Sequence, residues 1–256
     1  MASQPAVIDD VRSQMGRDSK RTAQKTVLDA RQRLTSSSGT RAEFDFELMH
    51  DYAQSRLNAA LPMAAIVAIL GIVASLWVPV IFTTLWAGMV ILSLLIVVLM
   101  ARRFTSEPGR FTASQWTTTF VAGETVYGLA WSLLALFTLV APPETLTPVM
   151  FAMVLVSVAA NAVATHTLPQ ATLVSTLPAT LTVSGNLIVQ GGTLNYTLAA
   201  VTICGEIFFV YLARQMHSAE LETISHQAEK DALIGELEEA RHMSDEARRH
   251  AEQANI

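Results

Sequence analysis

The stretch that decides the fold is residues 57–101, which read LNAALPMAAIVAILGIVASLWVPVIFTTLWAGMVILSLLIVVLMA and contain no charged side chain. A transmembrane helix needs about 20 predominantly apolar residues, so this run is long enough for two spans. Residues 145–205 form a second run without Asp, Glu, Lys or Arg. Only 15% of all residues are charged, whereas soluble domains have about a quarter. The sequence therefore predicts an all-α, polytopic membrane protein.

Six transmembrane helices are predicted, because turn residues and charges interrupt the apolar runs. Pro79 ends the first span, since proline disfavours helix in the residue before it. Proline and glycine pairs mark three later turns, at 108–109, 142–143 and 191–192. The predicted transmembrane domain covers residues 58–212, and its spans are 58–77, 80–100, 116–140, 147–165, 171–189 and 194–212.

The positive charges predict the orientation of these spans. All 17 Lys and Arg lie before the first span, between spans two and three, or after span six. With six spans these three segments share one side, and the positive-inside rule assigns that side to the cytoplasm. Both termini and the loop at 101–115 are therefore expected in the cytoplasm.

The segment before the first predicted span, residues 1–57, is expected to be cytoplasmic. Residues 1–40 are polar and are predicted to be partly disordered. Residues 45–57 predict a short amphipathic helix, which either lies on the membrane surface or continues into the first span; continuation is the favoured interpretation. Arg56 counts here among the positive charges that flank the membrane.

Five polar residues interrupt the apolar spans and form a candidate intramembrane sensor cluster. Ionisable groups cost several kcal/mol at the bilayer centre, so they usually face the bundle interior or mark function. One hypothesis is a cluster that responds to a proton or ligand, in which the two glutamates meet. The other is that each glutamate is protonated or bonded to a neighbouring hydroxyl, so that Gln is tolerated in its place. The five are Glu124, Asn161, His166, Asn186 and Glu206.

The C-terminal segment, residues 213–256, predicts one long cytoplasmic helix, because it has no proline and a single glycine, Gly235. Apolar and small residues recur with alternating steps of four and three, which is typical of a coiled-coil seam. The phase of this pattern changes near Asp231. We therefore predict a parallel homodimer, with a solvated single helix as the alternative. The seam contains Leu233, Leu237, Ala240, Ala247, Ala251 and Ala254, with Ser244 between them.

Residues 236–256, ELEEARHMSDEARRHAEQANI, resemble the linker that precedes the phosphoacceptor helix of bacterial sensor histidine kinases. Residues 44–57, FDFELMHDYAQSRL, followed by six spans, are similar to alphaproteobacterial kinases of the PleC/DivJ type. The resemblance implies the membrane input and signal-transmission region of a dimeric two-component kinase in the bacterial inner membrane. It also implies a response regulator as partner, and a kinase domain using ATP and magnesium, expected after residue 256.

No catalytic, cofactor-binding or metal-binding motif is found in these 256 residues. There is no Walker loop, no His-Glu-x-x-His, no nucleic-acid motif and only one cysteine, Cys204. No lysine lies between Thr26 and Glu229, which excludes a retinal Schiff base in the spans. Two alternatives stay open: the sensor region of a diguanylate cyclase or other output enzyme, and a small transporter or channel.

Overall fold

The computed structural model describes residues 42–107, 112–141 and 143–254, and this part of the chain is helical apart from short turns. Each of its six helices contains a segment that is long and apolar enough to cross a membrane, as expected of a multi-pass membrane protein. The all-α class and the six apolar helices are therefore confirmed. The helices are α1 (Ala42–Ala74), α2 (Val80–Ser106), α3 (Ala113–Ser132), α4 (Pro143–Thr165), α5 (Pro169–Gln190) and α6 (Thr193–Ala254), and a 3₁₀ helix (Leu133–Leu139) extends α3.

The first helix begins much earlier than the first predicted span. α1 runs without a break from Ala42 to Ala74, which agrees with the favoured interpretation that the helix predicted at 45–57 continues into the first span. Its first turns belong to the bundle, because Tyr52 is fully buried and its ring lies 4.9 Å from that of Phe120 on α3. The predicted disordered segment, residues 1–40, lies outside the described residues.

α5 contacts α3, α4 and α6, while α1 packs against α2 and α4. One face of α5 carries buried Ser and Thr side chains, including Thr172, Thr176 and Thr180. Small side chains of this kind let helices approach closely where lipid supplies no hydrophobic driving force between them. The outer faces of the bundle carry exposed large apolar side chains, as a surface in contact with lipid would.

α3 and α5 approach each other closely at Gly128. A Cβ atom added at this glycine would lie 2.4 Å from the carbonyl oxygen of Val174 and 2.8 Å from that of Ser175. Both neighbours are backbone atoms, which cannot move without moving the helix. Glycine at position 128 therefore determines how closely α3 and α5 pack.

The last helix, α6, is 62 residues long and joins the bundle to the C-terminal segment. Its buried residues extend from Ala199 to Ile224, which is the last buried residue in the part of the chain that the structure describes. Beyond that point Leu233 and Leu237 are exposed, at 53% and 70%. The pairing of this segment with a second chain stays a prediction. The side chains of three predicted seam residues, Ala247, Ala251 and Ala254, lie outside the described part of the chain.

Candidate functional site

A buried ion pair between Arg56 and Glu124 joins α1 to α3 inside the bundle. The guanidinium of Arg56 donates from Nε to Oε1 of Glu124 at 2.5 Å and from Nη2 to Oε2 of the same carboxylate. Both side chains have no exposed surface. This two-point geometry matches the fork of an arginine to the two oxygens of a carboxylate, which is the strongest arrangement such a pair adopts.

Three further side chains complete the environment of the pair. The hydroxyl of Tyr52, one turn before Arg56, donates to Oε1 of Glu124. The amide oxygen of Asn161 on α4 accepts from the two terminal guanidinium nitrogens at 3.3 and 3.4 Å. The ring of Tyr127 lies 5.4 Å from the guanidinium carbon, within the range of a cation–π contact. The network therefore joins α1, α3 and α4 through a single cation.

The arrangement neutralises a positive charge that would otherwise be very costly inside the bundle. Removing two charges from water costs several kcal/mol for each, and only good geometry with further hydrogen bonds offsets that cost. Here Glu124 supplies the counter-charge, and Tyr52 and Asn161 satisfy remaining hydrogen-bonding groups. These contacts tie α1, α3 and α4 to one another inside the bundle.

The charge pattern of the sequence did not predict this pair, because Arg56 counts there among the charges that flank the membrane. The structure instead places Arg56 inside the bundle, where it binds Glu124. Arg56 lies on the same face of α1 as the buried Met49 and Tyr52, because the three positions are i, i+3 and i+7. This spacing was the signal that Arg56 is buried with them. The tolerance of Gln at position 124 stays untested, but the ion pair gives a reason to expect the opposite, since Gln would leave the buried guanidinium without a counter-charge.

The second membrane carboxylate, Glu206, lies in a separate network and does not bond to Glu124. Its Oε1 accepts from the hydroxyl of Thr176 at 2.6 Å and its Oε2 from that of Thr180 at 2.9 Å. The side chain is 5% exposed and connects α6 to α5. This is the hydrogen-bonded arrangement of the second hypothesis, in which a neighbouring hydroxyl satisfies the glutamate.

His166 connects the turn between α4 and α5 to the far part of α6. Its Nε2 lies 2.8 Å from a carboxylate oxygen of Glu220, and its Nδ1 lies 2.8 Å from the carbonyl oxygen of Val163. The contact between His166 and Glu220 joins α6 to the turn between α4 and α5. The contact lies where α6 is about to leave the bundle.

Asn186 lies on α5 near the opposite end of the bundle. Its amide donates to the hydroxyl of Thr138 at 2.9 Å and accepts from Gln190 at 2.6 Å. The five polar residues predicted as one sensor cluster therefore belong to separate networks. The structure brings together only Glu124 and Asn161, and it does so through Arg56, because side chains on different helices meet only where those helices pack.

An open groove of about 850 Å³ lies between α1, α4 and the emerging part of α6. One end is polar and contains Asp51, His166 and Glu220, whereas the other is lined by apolar residues such as Met63 and Ile66. Among the described residues, no group of three or more His, Cys, Asp or Glu side chains could hold a metal ion. No protein-family model, curated protein or solved structure matches this chain.

Proposed function

We propose that this chain is the membrane input and signal-transmission region of a dimeric two-component sensor histidine kinase. The observation that carries the proposal is α6, a single helix that is part of the bundle and also extends beyond it. Within the bundle α6 is bonded to α5 through Glu206, and after Ile224 it continues for roughly 45 Å at 1.5 Å per residue. A shift of α6 in the bundle would therefore reach an output domain attached to its end.

The bundle contains contacts through which an input would act on α6. Glu206 binds two threonines of α5, and Glu220 binds His166 at the turn between α4 and α5. Small changes at such contacts become large movements when a packed element has two discrete arrangements. The phase change near Asp231 supplies two packing registers for the C-terminal helix, which is the bistable element that the proposal needs.

The proposal places the chain in the bacterial inner membrane, with both termini in the cytoplasm. In spheroplasts of a Cys204→Ser variant, a cysteine introduced at Ser106 should react with an impermeant maleimide only after lysis. A cysteine at Thr193, in the opposite turn, should react before lysis, because it faces the outside. Strong labelling at position 106 in intact spheroplasts would contradict this orientation.

The proposal also requires two copies of α6 to pair in parallel. The exposed Leu233 and Leu237 need an apolar partner, which a second copy supplies. In the Cys204→Ser background, a cysteine at Leu237 should form a disulfide with its own copy within membranes under mild oxidation. A cysteine at the neighbouring Glu238 should crosslink several-fold less, because it lies off the seam. Equal crosslinking at the two positions would contradict a coiled coil.

Signal transmission through the helix register is tested in a full-length parent kinase. Deleting one residue near Asp231 rotates everything beyond it by about 100°, whereas deleting seven rotates it by only about 20°. We therefore expect the single deletion to change phosphorylation of the response regulator far more than the seven-residue deletion. Equal effects would exclude helix register as the carrier of the signal, and normal dimerisation of both variants is the control.

A further inference from the structure

One side of α6 is held against the bundle over several turns. Glu206 is buried and binds Thr176 and Thr180 of α5, and Ile224 is buried further along the helix. Ile224 follows Glu206 by 18 residues, which is about five whole turns at 3.6 residues per turn. The two side chains therefore leave α6 in the same direction, and this direction is the one that faces the bundle.

The opposite side of α6, which we call the outer face, carries four exposed residues without charge. Their steps of three, four and three along the chain are the steps that keep side chains on one face of a helix. Cys204 precedes Glu206 by two residues, which is a rotation of about 200°, so the outer face is directed away from the bundle. The four residues are Val201, Cys204, Phe208 and Tyr211.

The outer face is in phase with two exposed leucines further along the same helix. Because α6 is one unbroken α-helix, directions along it can be counted in turns. Leu237 follows Val201 by 36 residues, which is about ten whole turns, and Leu233 follows Cys204 by 29 residues, which is about eight. Leu233 also follows the buried Ile224 by nine residues, or about two and a half turns. Both leucines therefore continue the outer face, on the side of α6 that points away from the bundle.

A second copy of this chain is the partner that fits the outer face. In the parallel dimer, Leu233 and Leu237 of the two copies meet across a two-fold axis, which brings each residue on the seam close to its own copy. The same axis passes the outer face, because α6 connects the two regions without a break. Phe208 and Tyr211 are 57% and 64% exposed and supply contact area, and helices associate in lipid through such packing.

We propose that the outer face of α6 packs against its own copy within the membrane, so that one dimer interface extends from Val201 to Leu237. The inference rests on the parallel pairing of α6 in the proposed function. It adds that the two bundles are joined inside the membrane as well as through their C-terminal helices. A rotation of α6 then changes its contact with α5 and its contact with the second copy at the same time.

The unaltered chain tests the proposal, because Cys204 is its one cysteine and lies on the outer face. In membranes under mild oxidation, Cys204 should form a disulfide with its own copy several-fold more than either of two control cysteines in the Cys204→Ser background. Ile203→Cys is on the same helix and exposed, but it is rotated by about 100°. Leu92→Cys is exposed on α2, and like Cys204 it lies about three turns from the start of its helix.

A second position on the outer face, Tyr211→Cys in the Cys204→Ser background, should crosslink as Cys204 does, because it lies about two turns further along. Equal crosslinking at positions 203, 204 and 92 would indicate random collision and overturn the proposal. Leu237→Cys distinguishes this failure from failure of the proposed function. If Leu237→Cys crosslinks while Cys204 and Tyr211→Cys do not, the C-terminal coiled coil stands and the membrane interface is wrong. If none of the three crosslinks, both are wrong.

Discussion

Replacing Glu124 with Gln should destabilise the bundle by about 3–5 kcal/mol, because it leaves the buried guanidinium of Arg56 without a counter-charge. The matched change at Glu206 should cost no more than about 1 kcal/mol, because its partners are the neutral hydroxyls of Thr176 and Thr180. An amide can still bond to both hydroxyls. Unfolding in mixed micelles, followed by tryptophan fluorescence as a denaturing detergent is added, measures both changes.

The double variant Arg56→Met/Glu124→Gln distinguishes the energy of the contact between these two residues from the energy of their contacts with other groups. Replacing both members of a buried ion pair by neutral groups of similar size is often tolerated, so the second change should restore at least about 2 kcal/mol. The coupling measured in this way belongs to the contact between the two residues. Equal destabilisation by Glu124→Gln and Glu206→Gln, with no recovery in the double variant, would contradict the buried pair.

Adding one methyl group at Gly128 should destabilise the bundle by about 1–3 kcal/mol, although alanine is the better helix former. The new Cβ would lie 2.4 Å from the carbonyl oxygen of Val174, so α3 and α5 would have to separate. The matched control is Gly185→Ala on α5, where an added Cβ meets no atom within 4 Å. That change should be neutral or stabilise by up to about 1 kcal/mol. The same mixed-micelle unfolding compares them, and equal stability of the two variants would contradict the close approach.

The number and approximate limits of five helices were predictable from the sequence, because the apolar character of a span is a local property of about 20 consecutive residues. The predicted span at 171–189 corresponds to a helix from Pro169 to Gln190, and the one at 147–165 to a helix from Pro143 to Thr165. Prolines and glycines favour turns through their own backbone geometry, so the turns between the helices could also be predicted from short stretches of sequence. The burial of Arg56 was not predictable in this way, since a charged residue ends an apolar run whether it faces water or a partner.

Only the tertiary structure decided which polar groups meet. Arg56 and Glu124 are 68 positions apart in the chain, and neither sequence neighbourhood specifies the other. The partners of Glu206 likewise depend on α6 packing against the threonine face of α5. Local sequence determines that a buried charge needs a partner, whereas the packing of the helices determines which side chain supplies it. For this protein the sequence by itself therefore determined the six apolar helices, and the packing of α1, α3 and α4 determined the ion pair at their centre.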